Sequence, residues 1–439
     1  MKLARGISYH PFDNKVYVHD INRQRDYILE GIAEEILDYV AVNPTCSVPE
    51  VLNYFVIKYD DEDAQEVQRD VGEFVDEMLS EKIFTEFDER EEPWSNKIPL
   101  EVARNFAKRH KLFSISFELT WRCVERCIHC YIDDAPKFCD KVELSLDEYK
   151  KILRQAREMG CINILLTGGE VLLRPDLCDI VEYATKLGFI VNIYTTGVGL
   201  TDEIFDRLCA AGVNAISVSL YSGIAHEHDA ITGVKGSFDK TLKAVLMFKA
   251  AGINTFIKGI VMKQNLDSIE SLYRLGKRLD IYVAVSPRIV EGHECKCAAD
   301  YALGDVELYK KFYELQARYV STDPTAKKFS REEILEEETC GAGLGEMSVD
   351  PFGGVHPCIT FRESFGSLRE EALQTVWERM RDKKLKNRVM RDVTPQCATC
   401  KYLRHCTVCV ADLINKGHGD FSDCGETLLM AQAAAEVMG

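Results

Sequence analysis

The segment Cys123-Val124-Glu125-Arg126-Cys127-Ile128-His129-Cys130-Tyr131 gathers three thiols in one short turn. Thiolates at this spacing, in a chain without export signals, bind metal rather than pair as disulfides. A 4Fe-4S cluster normally takes four cysteine ligands, so three close ones with no fourth nearby leave one iron open to a substrate or cofactor. Zinc is the alternative, with His129 as a fourth donor inside the same tight turn. A second segment, Thr167-Gly168-Gly169-Glu170, combines glycines that allow close backbone approach with an acid able to form a charge-assisted hydrogen bond; standing alone it also reads as a turn. The tail carries Cys340, Gly353 and Cys358, then Cys397-x2-Cys400-x5-Cys406-x2-Cys409, then Cys424. CxxC pairs of this kind suit zinc ribbons as well as iron-sulfur clusters. Cys295 and Cys297 fall between these groups and read as part of a structural loop, with an extra ligand or an acceptor thiol as alternatives. Cys46, Cys139, Cys161, Cys178 and Cys209 are scattered singly and read as small buried hydrophobes.

Elements must carry these groups to one place. From residue 113, apolar runs at 113–119, 162–166, 190–194, 215–220, 256–261 and 281–285 predict six strands alternating with helices, the pattern of a parallel α/β fold. One helix starts at Ser145-Leu146-Asp147-Glu148, a capping box. Six units fall short of a closed (β/α)8 barrel, so the fold class is α/β with an open, partial (β/α)6 barrel of the TIM type. The first cysteine cluster follows the first strand, and Gly168-Gly169-Glu170 follows the second. Before the barrel, Ile7, Tyr9, Val16 and Val18 alternate around Phe12-Asp13-Asn14 and predict a β-hairpin. Ile28, Ile32, Ile36 and Val40 predict a helix; Val51, Leu52 and Phe55 a second; Val67, Val71, Phe74, Val75, Met78 and Leu79 a third. The expected domains are residues 1–93, a small α+β domain closed by a linker at Asp88–Pro93; 110–300, the barrel; 301–334, a helical bridge; and 335–439, a Cys-rich domain with little regular periodicity.

The formal charge of 54 − 71 = −17 argues against a sequence-independent grip on nucleic acid, which rests on neutralising phosphates. Residues 60 to 92 hold 15 acidic and 3 basic side chains, a solvated acidic face or a surface that steers a basic partner. No apolar run approaches the roughly 18 residues of a membrane span, and the N-terminus lacks a secretory signal, so the expected location is the cytoplasm.

Taken together, the CxxxCxxC at the end of the first strand and the motifs downstream resemble the radical S-adenosylmethionine (SAM) superfamily. The resemblance implies that Cys123, Cys127 and Cys130 hold a cluster that reduces SAM to a 5′-deoxyadenosyl radical. It further implies SAM contacts from Tyr131, Gly168, Gly169, Glu170, Ser217, Ser219 and Lys258, with Ser222 and Asn265 following close by. Relatives often have Thr-Asn-Gly where this chain has Thr195-Thr196-Gly197. The tail resembles the SPASM domain, which implies one auxiliary cluster on Cys340, Cys358 and Cys409 and another on Cys397, Cys400, Cys406 and Cys424. Three 4Fe-4S clusters result, the first auxiliary one with its fourth site open to Glu346, another side chain or the substrate. The spacing between Cys406 and Cys409 is one residue shorter than in relatives. The N-terminal region resembles the PqqD-like winged-helix domain that recognises leader peptides, which implies strand addition by a leader to the hairpin edge. The expected protein is a maturase of ribosomally made peptides that forms thioether crosslinks; carbon-carbon crosslinking, epimerisation and formylglycine-type oxidation are alternatives within the class. Its expected partners are a precursor peptide and a reduced flavodoxin or ferredoxin, with no nucleic acid and no membrane. From another class, the rival is a zinc-stabilised peptide-binding protein without catalysis.

Overall fold

A computed structural model describes residues 1–4, 7–12, 15–20, 25–43, 46–59, 63–85, 100–132, 141–290, 298–320, 330–336, 340–361, 363–381, 395–415 and 424–438. The chain forms two compact units, Met1–Val102 with Gly188–Ile190, and Ala103–Leu187 with Val191–Gly439. Cys139, Cys295, Cys297, the turn residues Asp13 and Asn14, and the linker at Asp88–Pro93 lie outside the described residues.

In the first unit β1 (Lys2–Leu3) pairs antiparallel with β5 (Phe84–Thr85). Strands β2 (Ile7–Phe12), β3 (Lys15–Asp20) and β4 (Arg25–Glu30) form an antiparallel sheet with β3 at its centre. Helices α1 (Ala33–Val42), α2 (Val48–Lys58) and α3 (Ala64–Ser80) follow β4. Val16 and Val18 of β3 pack with Ile36, Leu37, Val40, Val51, Phe55, Val71, Val75 and Met78, all of them buried. The expected hairpin is thus a three-stranded sheet, and Ile28 belongs to its third strand rather than to a helix. It stands opposite Tyr17 in the ladder and is 66% exposed. Gly31, at φ +69°, ends that strand, and Ile32 caps the helix, so the four-residue repeat becomes helical only after the glycine.

All six expected barrel strands form: β6 (Ser114–Glu118), β7 (Asn163–Thr167), β8 (Ile190–Thr195), β9 (Ala215–Ser219), β10 (Asn254–Ile260) and β11 (Val283–Ser286). They lie side by side in chain order, and the registers run parallel. Each alternates two kinds of face. Ile115, Phe117, Ile164, Ile193, Ile216 and Ile257 are buried; Ser116, Leu165, Tyr194, Ser219, Lys258 and Ala284 on the other face stay half-exposed. One face is therefore a wall and the other the lining of an open concavity.

The tail departs from expectation. Three further strands, β12 (Glu346–Val349), β13 (Gly354–His356) and β14 (Gly366–Ser367), extend the sheet beyond β6 to nine strands. β12 runs parallel to β6, pairing Glu346 with Ser114 and Val349 with Phe117. Four residues are too few to display a period, which is why this strand was illegible in the sequence. Among the described residues no helix is long and apolar enough to cross a membrane.

Candidate radical and iron-sulfur sites

The cysteine loop leaves β6 and is fastened by its backbone. Arg126 N donates to Thr232 O at 2.8 Å and Ile128 N to Ile231 O at 3.0 Å, which ties the loop to the helix Ala225–Thr232. Glu125 N donates to Cys123 Sγ at 3.4 Å, a contact suited to thiolate sulfur. Burial first, then Glu170 and Glu125 ahead of the neighbouring thiol Cys130, pushes Cys123 up to about 11, and burial, then Glu125 and Cys130, holds Cys127 well above its ordinary value. Cys130 contributes to both shifts, so the three thiols share one neighbourhood. Such thiols stay protonated until a cation displaces the protons. Among the described residues no three His, Cys, Asp or Glu side chains converge tightly enough to surround a single metal ion.

His129, the possible zinc donor, is buried with its ring 4.5 Å from that of Tyr221, and burial lowers its pKa to about 4. Glu125 carries no signal of its own in the sequence. It is buried, its pKa rises to about 7 through burial, and it accepts from Cys127 Sγ at 3.3 Å. Only its place between two ligand cysteines could have drawn attention to it.

The glycine turn serves the loop directly. Gly169 N donates to Thr120 O at 2.7 Å and Glu170 N to Arg122 O at 2.8 Å, immediately before Cys123. A Cβ on Gly168, whose φ is +134°, would lie 2.3 Å from Thr120 O, and one on Gly169 would lie 2.3 Å from Arg122 O. The glycines thus let two backbones of the protein meet. Glu170 is fully buried and its carboxylate is occupied: Thr195 Oγ1 donates at 2.6 Å, Thr196 N at 2.7 Å, Leu172 N at 3.0 Å, and Thr196 Oγ1 as well. The Thr195-Thr196 pair, where relatives often have Thr-Asn, is what holds this acid.

The other expected SAM contacts lie on the concave face or its rim. Ser217 stands between Tyr194 and Phe256 in the ladder, and Ser219 beside Lys258. Lys258 Nζ lies 3.6 Å from the Tyr194 ring centroid and donates to its hydroxyl. Tyr131 Oη donates to Glu118 Oε1 at 2.6 Å. Ser222 Oγ donates to Glu227 at 2.7 Å, and Asn265 is buried, bonded to Tyr221 O and Ile260 O.

In the tail, Cys340 is pushed up to about 12 by burial and then by Cys358, Cys409 and Glu346. Cys358 is raised likewise, with Cys409 among the causes, so Cys409 reaches this group in spite of its short spacing. For the other set, the Arg331 guanidinium gathers the carbonyls of Cys397, Ala398 and Cys400 at 3.2, 3.1 and 3.0 Å. The turn Leu403–His405 leads into Cys406 and packs against the helix Glu426–Met438, which Cys424 precedes. Cys340 and Cys406 both border the apolar cluster of Ala107, Leu344, Val408, Val410 and Leu413.

Residues 117–276 match the model of the radical SAM superfamily, and 340–401 that of the SPASM iron-sulfur cluster-binding domain. The AdoMet-dependent heme synthase of Methanosarcina barkeri is 29% identical over 68% of this chain and 90% of its own length. The antilisterial bacteriocin subtilosin biosynthesis protein AlbA of Bacillus subtilis is 26% identical over 60% of this chain and 58% of its own. Crystal structures of Streptococcus suis SuiB share the fold. The one bound to S-adenosylmethionine has TM-score 0.61 at 16% identity over 96% of this chain and 98% of that one; the one bound to precursor peptide SuiA has TM-score 0.59 at 17% identity over 95% and 98%. The core match opens within β6 and spans the cysteine loop and glycine turn, while the tail match opens on Cys340 itself, and on these grounds the chain belongs to the radical SAM superfamily as an enzyme with a SPASM iron-sulfur domain.

Proposed function

We propose that this enzyme modifies a ribosomally made precursor peptide, forming thioether crosslinks between a peptide cysteine and a carbon elsewhere in the peptide. The observation that carries the reading is the N-terminal unit: a three-stranded antiparallel sheet and three helices set before a core whose chemical motifs all lie after residue 122. A leader peptide pairs there by strand addition, main-chain hydrogen bonds giving affinity and pockets reading alternate side chains. Likeness to SuiB, solved with a precursor peptide, extends over this unit as well, since it covers 95% of the chain. The heme synthase supplies a second reading, a tetrapyrrole substrate, but its match leaves 32% of this chain unaccounted for (100 − 68).

In this reading residues 1–93 hold the leader, 110–300 form the radical core, 301–334 the bridge and 335–439 the auxiliary-cluster domain. Cys123, Cys127 and Cys130 hold the first cluster; Cys340, Cys358 and Cys409 the second; Cys397, Cys400, Cys406 and Cys424 the third. Bound SAM at the first cluster supplies a 5′-deoxyadenosyl radical able to take hydrogen from an unactivated carbon. The Gly168-Gly169 turn fixes the loop that presents the three thiolates. Ser217, Ser219 and Lys258 line the concavity where the cofactor's amino-acid and ribose groups are held, and the Lys258 ammonium meets a carboxylate. The buried convex wall excludes water from behind the site. Reduced flavodoxin or ferredoxin would supply the electron, and Cys340, Cys358 and Cys409 with Cys397, Cys400, Cys406 and Cys424 would hold the auxiliary clusters able to accept the one released on bond formation.

The test uses anaerobically reconstituted enzyme, SAM and a cysteine-containing precursor from a neighbouring gene. The peptide is expected to lose the mass of two hydrogens per crosslink and to retain no free thiol at the linked cysteine. The triple variant Cys123→Ala, Cys127→Ala, Cys130→Ala is expected to form no 5′-deoxyadenosine while keeping its tail iron. SAM cleavage by the triple variant would refute the cluster assignment; turnover of an iron porphyrin in place of the peptide would refute the substrate.

A further inference from the structure

We infer that the Glu346 carboxylate is the fourth ligand of the auxiliary cluster on Cys340, Cys358 and Cys409. The inference rests on reading the tail as a cluster domain and is independent of the peptide substrate.

The geometry begins with a tight reversal directly after Cys340. The Gly341 carbonyl accepts from Leu344 N, Gly345 N and Glu346 N, each at 3.0 Å, and Gly343 N returns a bond to Glu346 O at 2.8 Å. Gly343, at φ +70°, makes the turn possible. The reversal brings Glu346, the first residue of β12, back onto the peptide that follows the ligand. Gly341 then leaves the room the acid needs: a Cβ there would lie 3.1 Å from Glu346 Cδ and 3.3 Å from Cγ and Oε1. The carboxyl therefore occupies the space that a side chain next to Cys340 would otherwise fill. It is held there at the backbone, because Glu346 is locked in register with Ser114 of β6.

Its chemistry has no other use among the described residues. Glu346 is exposed, and among the described residues no hydrogen-bond donor or cation meets its carboxyl. Glu346, Cys358 and Cys409 each lie close enough to Cys340 to interact with it electrostatically. Three thiols and one acid without a protein partner thus share one neighbourhood, and three thiolates leave one iron of a 4Fe-4S cube without a protein ligand. A carboxylate is the harder and weaker ligand of the four, so this iron has the more positive potential of a cluster that lacks a fourth thiolate.

The experiment uses the full chain carrying Cys123→Ala, Cys127→Ala and Cys130→Ala, reconstituted anaerobically, with cyanide as the probe and no peptide present. With Glu346 in place, the EPR spectrum of the reduced protein is expected to be insensitive to cyanide. Adding Glu346→Ala is expected to shift the g values, move one midpoint potential positive as an anionic ligand is lost, and create a cyanide-sensitive signal. Glu346→Cys is expected to restore the closed cluster at a more negative potential than Glu346→Ala. Cyanide binding in the presence of Glu346, or identical spectra and potentials with and without it, would overturn the assignment. If Glu346→Ala loses the cluster altogether, recovery of its iron in Glu346→Cys sustains a ligand role and failure to recover overturns it. Zinc without sulfide in the parent protein would overturn this inference together with the cluster reading, whereas failure of the peptide assay would leave these spectra unchanged.

Discussion

Glu118 illustrates how far burial alone sets the charge of a side chain in this core. It is 3% exposed, and desolvation raises its pKa from 4.5 to about 7 against the opposing hydrogen bond from Tyr131. Asp350 adds to the rise, while His356, which meets Asp350 at 3.3 Å, works against it. Because the folded protein holds this proton more tightly than the unfolded chain does, the contribution of Glu118 to stability is fully present below pH 4.5. It is lost as pH rises to about 7 and changes no further above that. Glu118→Gln is expected to flatten the fall in stability over this window, with a ceiling of about 3 kcal/mol. Denaturant midpoints of both proteins at several pH values between 4.5 and 7 check this; parallel curves would mean that the carboxyl titrates normally. Nothing in the sequence marks Glu118, since a glutamate at the end of a strand is charged or neutral according to what lies around it.

At the scale of elements, the ends of β7 and β8 are joined by one side chain. Glu170 accepts four hydrogen bonds from Leu172, Thr195 and Thr196 while buried, and each donor left without an acceptor costs about 1–3 kcal/mol. Glu170→Ala is therefore expected to lower the melting temperature of the SAM-free protein by several degrees. A residue that served only the cofactor would leave the SAM-free melting temperature unchanged, and calorimetry without SAM separates the two. Glu170→Gln, which keeps the shape but turns a donor toward donors, is expected to fall between. The motif was legible only through its place after the second predicted strand and the resemblance to the radical SAM superfamily, since standing alone it also reads as a turn. Its partners were not, because Thr195 and Thr196 lie 25 and 26 residues away and only strand pairing brings them together. The same holds for Ile28. Its four-residue spacing satisfied a helical period, and the pairing of Arg25–Glu30 with β3 overrode it.

For the molecule as a whole, the two compact units divide binding from chemistry in the proposed function. Deleting residues 1–93 is expected to leave SAM affinity and uncoupled SAM cleavage nearly intact, since every cluster cysteine lies at or after position 123. Turnover of full-length precursor is expected to fall by about a hundredfold or more, as it would if a leader contact of about 3 kcal/mol or more were removed. Full activity of the truncated enzyme would eliminate leader binding by this unit. The −12 charge between residues 60 and 92 adds a salt-dependent part to leader affinity if the leader is basic. Titration at rising ionic strength measures that part, and a flat response leaves strand pairing to carry the affinity.

The chain's sequence alone determined the chemistry and its order along the fold. Thiol spacing is local and apolar runs are local, so the cysteine loop, the glycine turn and all six barrel strands could be read from it. Tertiary structure decided what each group meets. It spent Gly168 and Gly169 on a backbone contact, filled Glu170 with threonines, added β12 to the open edge at β6, and folded Glu346 back over Gly341 beside Cys340. Each of these depends on desolvation or on contacts between segments distant in sequence or reversed by a turn. Such contacts acquire their energy only once the chain has closed around them.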